Sequence, residues 1–227
     1  MRVNGQTQRP GTKLVLLDLD GTLADTAPDL AAAANRMREA RGIEPLPISE
    51  LRPYVSHGAR GMVGRAFNVT PHDGRYEALR REFLREYESA LCVDSTLFPE
   101  MDNTLRQFEA RGIKWGIVTN KLARYTAPLV RALQLDHRAA CIVSGDTTPF
   151  SKPHPAPLLH ALAAARIDAA AAAYVGDDQR DIEAGRAAGV RTVVASYGYL
   201  GNGIHYAQWG ADDVVHSPAE LLPLLLM

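Results

Sequence analysis

The chain has 227 residues, 46% of them hydrophobic and 22% charged, with a formal net charge of −1. That length and apolar content suffice for a substantial core, as one large domain or as a domain with an inserted module. Near-neutrality removes any electrostatic case for nucleic acid or an anionic membrane as a partner.

Residues 1–10 are polar and lack the apolar core of a signal peptide, so residues 1–12 read as a loose tail. Residues 13–18 are a short apolar run without alternation, which predicts a buried central strand. Residues 28–94 contain no convincing core strand. They carry helical patterns at 28–41, 59–67 and 71–90, separated by turn-rich stretches at 42–47 and 68–74. This predicts a helical module at 27–94 inserted after the first strand, with residues 1–26 and 95–227 forming the core. Helical patterns at 100–111, 121–135, 155–166 and 178–188 then alternate with apolar runs at 114–119, 140–144, 172–175 and 191–195. Gly112 and Gly189 are the expected stops of two of these helices. Ser217-Pro218-Ala219-Glu220 reads as a capping box opening a last helix, and the apolar residues 221–227 are too short to span a bilayer. The alternation predicts an α/β fold: a doubly wound parallel sheet with an inserted helical cap.

In such sheets ligands bind at the carboxyl ends of the strands. The first strand ends in Asp18-Leu19-Asp20-Gly21-Thr22, and the second in Thr119-Asn120. The fourth ends in Gly176-Asp177-Asp178, with Asp181 just beyond. Lys152 lies in the turn after the third and is one of only four lysines, with Lys13, Lys114 and Lys121. Asp18, Asp20 and Asp177 crowded together carry more negative charge than one ammonium can offset. A divalent cation relieves that conflict, and an all-oxygen ligand set favours Mg²⁺ over zinc. Cys92 and Cys141 form neither a CxxC nor a Cys/His cluster, which suits a reduced, cytoplasmic compartment.

These motifs resemble those of the haloacid dehalogenase-like (HAD) phosphatases. The DxDGT motif stands at residues 18–22, the Thr of the second motif at Thr119, the lone Lys at Lys152, and GDxxxD at residues 176–181. The resemblance implies that Asp18 attacks phosphorus and that Asp20 is general acid and base. It implies that Thr119 and the amide of Asn120 hold phosphate oxygens, while Lys152 neutralises charge on the transferring phosphoryl group. Mg²⁺ would sit on the Asp18 carboxylate, the Asp20 carbonyl and Asp177, with Asp178 and Asp181 behind them. Residues 27–94 resemble the helical cap of this family, with Arg60 and His57 as its candidate substrate contacts.

Within the family, dehalogenases lack the second carboxylate, which is present here as Asp20. Phosphonatases need a cap lysine, and residues 28–94 contain none. A non-catalytic phosphometabolite-binding protein would usually have lost Asp18, Asp20 or Lys152. Sugar phosphomutases of the family also rely on cap lysine and arginine contacts, so phosphoester hydrolysis of a small metabolite remains. The run from Asp25 to Leu30 and the Thr119-Asn120-Lys121 triplet resemble phosphoglycolate phosphatases. Tyr197-Gly198-Tyr199 and Trp209-Gly210-Ala211-Asp212 resemble N-acetylmuramic acid 6-phosphate phosphatases. The former reading is preferred and the latter is the alternative.

Overall fold

The computed structural model describes residues 11–226. Most of the expected N-terminal tail therefore lies outside the described residues. A six-stranded parallel sheet forms the centre: β1 (Leu14–Leu17), β4 (Lys114–Val118), β5 (Ile142–Val143), β6 (Ala172–Gly176), β7 (Arg191–Ala195) and β8 (Asp213–Val215). Their spatial order is β5-β4-β1-β6-β7-β8. The chain thus runs outward from β1 through β4 to β5, then returns to the other side of β1 at β6. That reversal creates a crevice at the carboxyl ends of β1 and β6, where ligands bind in doubly wound folds. The register sets Leu17 beside both Ile117 and Val175, so the residues following β1, β4 and β6 emerge at one level.

Strand β1 is fully buried because both faces of the sheet are covered. Successive side chains point to opposite faces. Val15 and Leu17 join a core with Trp115, Ile117, Leu105 and Phe108, while Leu14 and Leu16 join a second one with Tyr174, Leu158 and Leu162. The first face is covered by α5 (Met101–Ala110), α6 (Ala123–Ala132) and α9 (Leu221–Leu226); the second takes α7 (Ala156–Ala165) and α8 (Gln179–Ala188). Gly189 ends α8 in the left-handed conformation expected of a C-cap.

Between β1 and β4 lie α1 (Ala27–Glu39), α2 (Ile48–Leu51), a 3-10 turn at Arg52–His57, α3 (Gly58–Phe67) and α4 (Tyr76–Ser89). They are framed by a two-stranded antiparallel ribbon, β2 (Ala24–Asp25) and β3 (Thr96–Leu97). Asp29 holds the two crossings together: it accepts from the backbone of Val93, Asp94 and Ser95 and from the Ser95 hydroxyl. Tyr199, from the loop after β7, accepts from the Thr26 and Ala27 amides. Arg52 forms a bidentate pair with Asp25.

The structure departs from expectation in several places. The ribbon, β8, α2 and the 3-10 turn have too few residues for a periodic signal. The helix expected from residue 71 begins at Tyr76, after a turn built on Asp73. The expected capping box at Ser217 does not form: Glu220 instead accepts from the His216 amide, and Ser217 makes no capping bond to the turn that follows it.

Candidate active site

Asp18 follows β1 directly. Its carboxylate accepts from the Leu19 amide at 2.7 Å and pairs with Lys152 Nζ at 2.9 Å. Beyond it the chain turns sharply at Gly21 (φ 88°), where a Cβ would collide with the Asp177 carboxylate. Glycine is therefore required for both conformation and space. The turn brings Thr22 back to donate to Asp177 at 3.0 Å, and the Tyr199 amide donates to the other oxygen of Asp177 at 2.9 Å.

Lys152 is buried among Asp18, Asp181 (2.6 Å), the Tyr174 hydroxyl (2.8 Å) and the Val118 carbonyl (3.2 Å). The Asn120 side chain fixes its turn, accepting from the Lys152 amide and donating to the Lys152 carbonyl. Asp181 has two tasks. One oxygen holds Lys152, and the other accepts from the Asp178 amide as part of the capping box of α8. Thr119 is buried at the end of β4, its hydroxyl accepting from the Lys121 amide.

The electrostatics are unbalanced. Burial pushes the Asp18 carboxyl up to about 7, against the pull of Lys152 and with the help of Asp181. Burial, then Asp18 and Asp181, raise Asp177 well above the carboxylate range despite its two donors. Burial alone would lower Lys152, but Asp18 and Asp181 overcome it and hold the ammonium at about 12. Oxygens of Asp18, Asp177 and Asp181 lie within 4.8 Å of one another, an all-oxygen group whose charge a hard divalent cation would balance. The three carboxylates could therefore hold a hard divalent cation.

A cavity of about 320 Å³ opens above these groups. Asp18, Asp20, Thr119, Asn120 and Lys152 line its floor, with Asp178 and Asp181 at one side. The helical segment supplies its roof, including Val55, Ser56, His57 and a stripe of α4 at helical spacing: Arg80, Phe83, Leu84 and Tyr87. Arg60 does not line this cavity, contrary to expectation. It faces a separate surface depression near Tyr54 and Thr70, because α3 turns it outward. His57 borders both spaces.

Two cations to which the motifs assign no role also line the cavity. Lys121 is nearly buried, donates to Asp20 at 2.9 Å, and sits 4.7 Å from the centre of the Tyr87 ring. Asp20 also accepts from Thr26 at 2.5 Å. Arg180 grips Asp178 in bidentate fashion and donates to the Ser56 carbonyl at 2.6 Å, joining α8 to the roof. In the sequence Lys121 stands as a motif neighbour, and nothing in the local pattern marks Arg180.

A family profile for haloacid dehalogenase-like hydrolases matches residues 15–195, spanning all four motifs. The chain belongs to this family. It is 43% identical over 209 residues to a Pseudomonas putida protein named N-acetylmuramic acid 6-phosphate phosphatase, covering 92% of this chain and 94% of that one. It is also 43% identical over 211 residues to a Xanthomonas campestris phosphoglycolate phosphatase, with the same coverage of each. A crystal structure of a predicted phosphoglycolate phosphatase from Haemophilus somnus superposes with a TM-score of 0.82 at 30% identity, covering 97% of this chain and 99% of that one. The HAD hydrolase fold thus extends over the helical segment as well as the sheet. Among the described residues no helix is long and apolar enough to cross a membrane.

Proposed function

We propose that the chain is a Mg²⁺-dependent phosphomonoester hydrolase of a small phosphometabolite, with Asp18 as nucleophile. The observation that carries this is the pairing of Asp18 with Lys152 at 2.9 Å on the floor of a cavity whose roof is a separate helical segment. Residues 27–94 act as the cap and residues 1–26 with 95–227 as the catalytic core.

The chemistry follows from the residues. A carboxylate oxygen of Asp18 attacks phosphorus, and the bond to the ester oxygen breaks as an aspartyl-phosphate forms. Asp20 gives its proton to the departing oxygen. Water then attacks phosphorus, the bond to Asp18 breaks, and Asp20 takes the water's proton. Thr119, the Asn120 amide and Lys152 hold the phosphoryl oxygens as charge spreads over them. Asp18, Asp177 and the Asp20 carbonyl would hold Mg²⁺, which would supply charge neutralisation to the transferring group. Asp181 keeps Lys152 aimed, and Asp178 anchors Arg180.

Phosphoglycolate is the substrate we favour. A second reading, an amino-sugar phosphate such as N-acetylmuramic acid 6-phosphate, is favoured by the apolar roof of Val55, Phe83 and Leu84, which offers more wall than a two-carbon ester needs. The test is a side-by-side comparison of kcat/KM for the two compounds with Mg²⁺ and with EDTA. A tenfold or greater preference for the amino sugar would reverse the order of the two readings, and full activity in EDTA would remove the metal.

A further inference from the structure

Buried polar groups in folded proteins almost always find a hydrogen-bond partner, so exceptions call for an explanation. Among the described residues only three buried side-chain polar atoms lack one: Ser56 Oγ, the Tyr87 hydroxyl and one nitrogen of Arg138. Two of the three, Ser56 and Tyr87, belong to residues that line the cavity above Asp18. Arg138 lies elsewhere, against Asp102 and Glu109.

Both hydroxyls line one cavity, and the surroundings of Tyr87 indicate the kind of ligand it could take. Tyr87 is buried on the cavity side of α4, and the Lys121 ammonium rests over its ring. That ammonium touches Asp20, the group on the leaving-group side of the reaction. A lysine carries three N–H donors; Asp20 takes one and the Tyr87 oxygen draws on a second, which leaves one to spare. Burial pushes the Tyr87 phenol up, so it remains a donor. An ammonium with an N–H to spare and two hydroxyls whose own O–H meets no acceptor are a donor set in want of an anionic acceptor.

We propose that Lys121, Tyr87 and Ser56 form a subsite that reads a carboxylate in the leaving alcohol of the substrate. The inference rests on the phosphatase reading and deepens it, taking over the task expected of Arg60. The ligand is a phosphate ester whose alcohol bears a carboxylate. Two sources share that chemistry, a two-carbon phospho-acid and a sugar phosphate with an acidic side arm. The cation is placed beside Asp20, so binding the carboxylate also fixes the ester oxygen near the group that protonates it.

The experiment measures kcat/KM for two matched pairs: phosphoglycolate against ethyl phosphate, and N-acetylmuramic acid 6-phosphate against N-acetylglucosamine 6-phosphate. The first pair differs by the carboxylate and the second by the acidic lactyl arm that carries one, and p-nitrophenyl phosphate reports general activity. The wild type should prefer the acid in at least one pair by about tenfold or more, a usual effect of one charge-assisted contact in a desolvated site. The pair that shows it names the source. Lys121→Gln should bring that ratio close to one, Lys121→Arg should recover part of it, and Tyr87→Phe and Ser56→Ala should each reduce it. The ratio is the readout because Lys121→Gln also disturbs Asp20 and slows every substrate. Tyr87→Phe keeps the ring and carries the test alone if Lys121→Gln does not fold. A wild type with p-nitrophenyl phosphatase activity and no preference in either pair overturns the subsite and leaves the phosphatase standing. Ratios unchanged in Lys121→Gln and Tyr87→Phe do the same. A wild type inactive on every ester overturns the reading beneath it.

Discussion

Stripped of divalent cations, the protein should lose stability as pH rises through the mildly acidic range, the reverse of ordinary acid denaturation. Burial raises Asp18 from 3.8 to about 7, with Asp177 shifted in the same direction by burial and by Asp18. Between those two pH values the folded state holds a proton that the unfolded chain has released. The folded state then binds more protons, so stability falls with increasing pH. The penalty is absent below the unfolded value and complete above the folded one. A shift of about 3 units at 1.36 kcal/mol each amounts to roughly 4 kcal/mol. For a domain of this size that is a melting-temperature loss of about 8–16 °C. Mg²⁺ held by the same carboxylates should offset the loss by binding only the folded state. Thermal melts at pH 4.5, 6 and 7.5, with EDTA or Mg²⁺, measure both effects. Asp18→Asn cannot titrate, so its slope in EDTA should be shallower than that of the wild type. A melting temperature in EDTA that stays flat or climbs over this range, and does not respond to Mg²⁺, would refute the reasoning.

Asp20→Asn should lower kcat by about 10²–10⁴-fold for an alkyl phosphate, the usual worth of general acid–base help, and by less for p-nitrophenyl phosphate, whose leaving group needs little protonation. Gly21→Ala should cost more than about 1 kcal/mol in chemical denaturation, because the residue holds a positive φ and the added methyl strikes Asp177. Arg180→Gln removes the tie to the Ser56 carbonyl, so hydrogen exchange at residues 52–60 should quicken while exchange in β1 stays unchanged.

The parallel sheet was legible because its strands are short apolar runs between periodic helices, and the floor of the site because four motifs fall at strand ends. Asp18, Thr119 and Asp177 could each be placed from the strand they follow, and Lys152 from the turn after the third strand. The roof could not. Its residues come from helices whose rotation over the floor is set by packing of the ribbon, Asp29 and Tyr199, none of which has a local pattern. Arg60 was expected in the cavity because it follows the turn at Ser56, yet α3 carries it to the other side. Arg80 and Tyr87 share a helix face that periodicity could find, but periodicity does not say what the face covers. Lys121 lay in plain view beside Thr119. Its pairing with Asp20 depends on the approach of two strand ends separated by about a hundred residues.

The central claim is that Asp18 becomes covalently phosphorylated, and rapid acid quench with a ³²P-labelled phosphate ester tests it most directly. Wild-type protein mixed with Mg²⁺ and labelled substrate should carry protein-bound label that hydroxylamine releases, as an acyl phosphate does. Folded Asp18→Asn protein, checked by circular dichroism, should carry none and turn over no substrate. Equal labelling or equal turnover in Asp18→Asn would contradict the account.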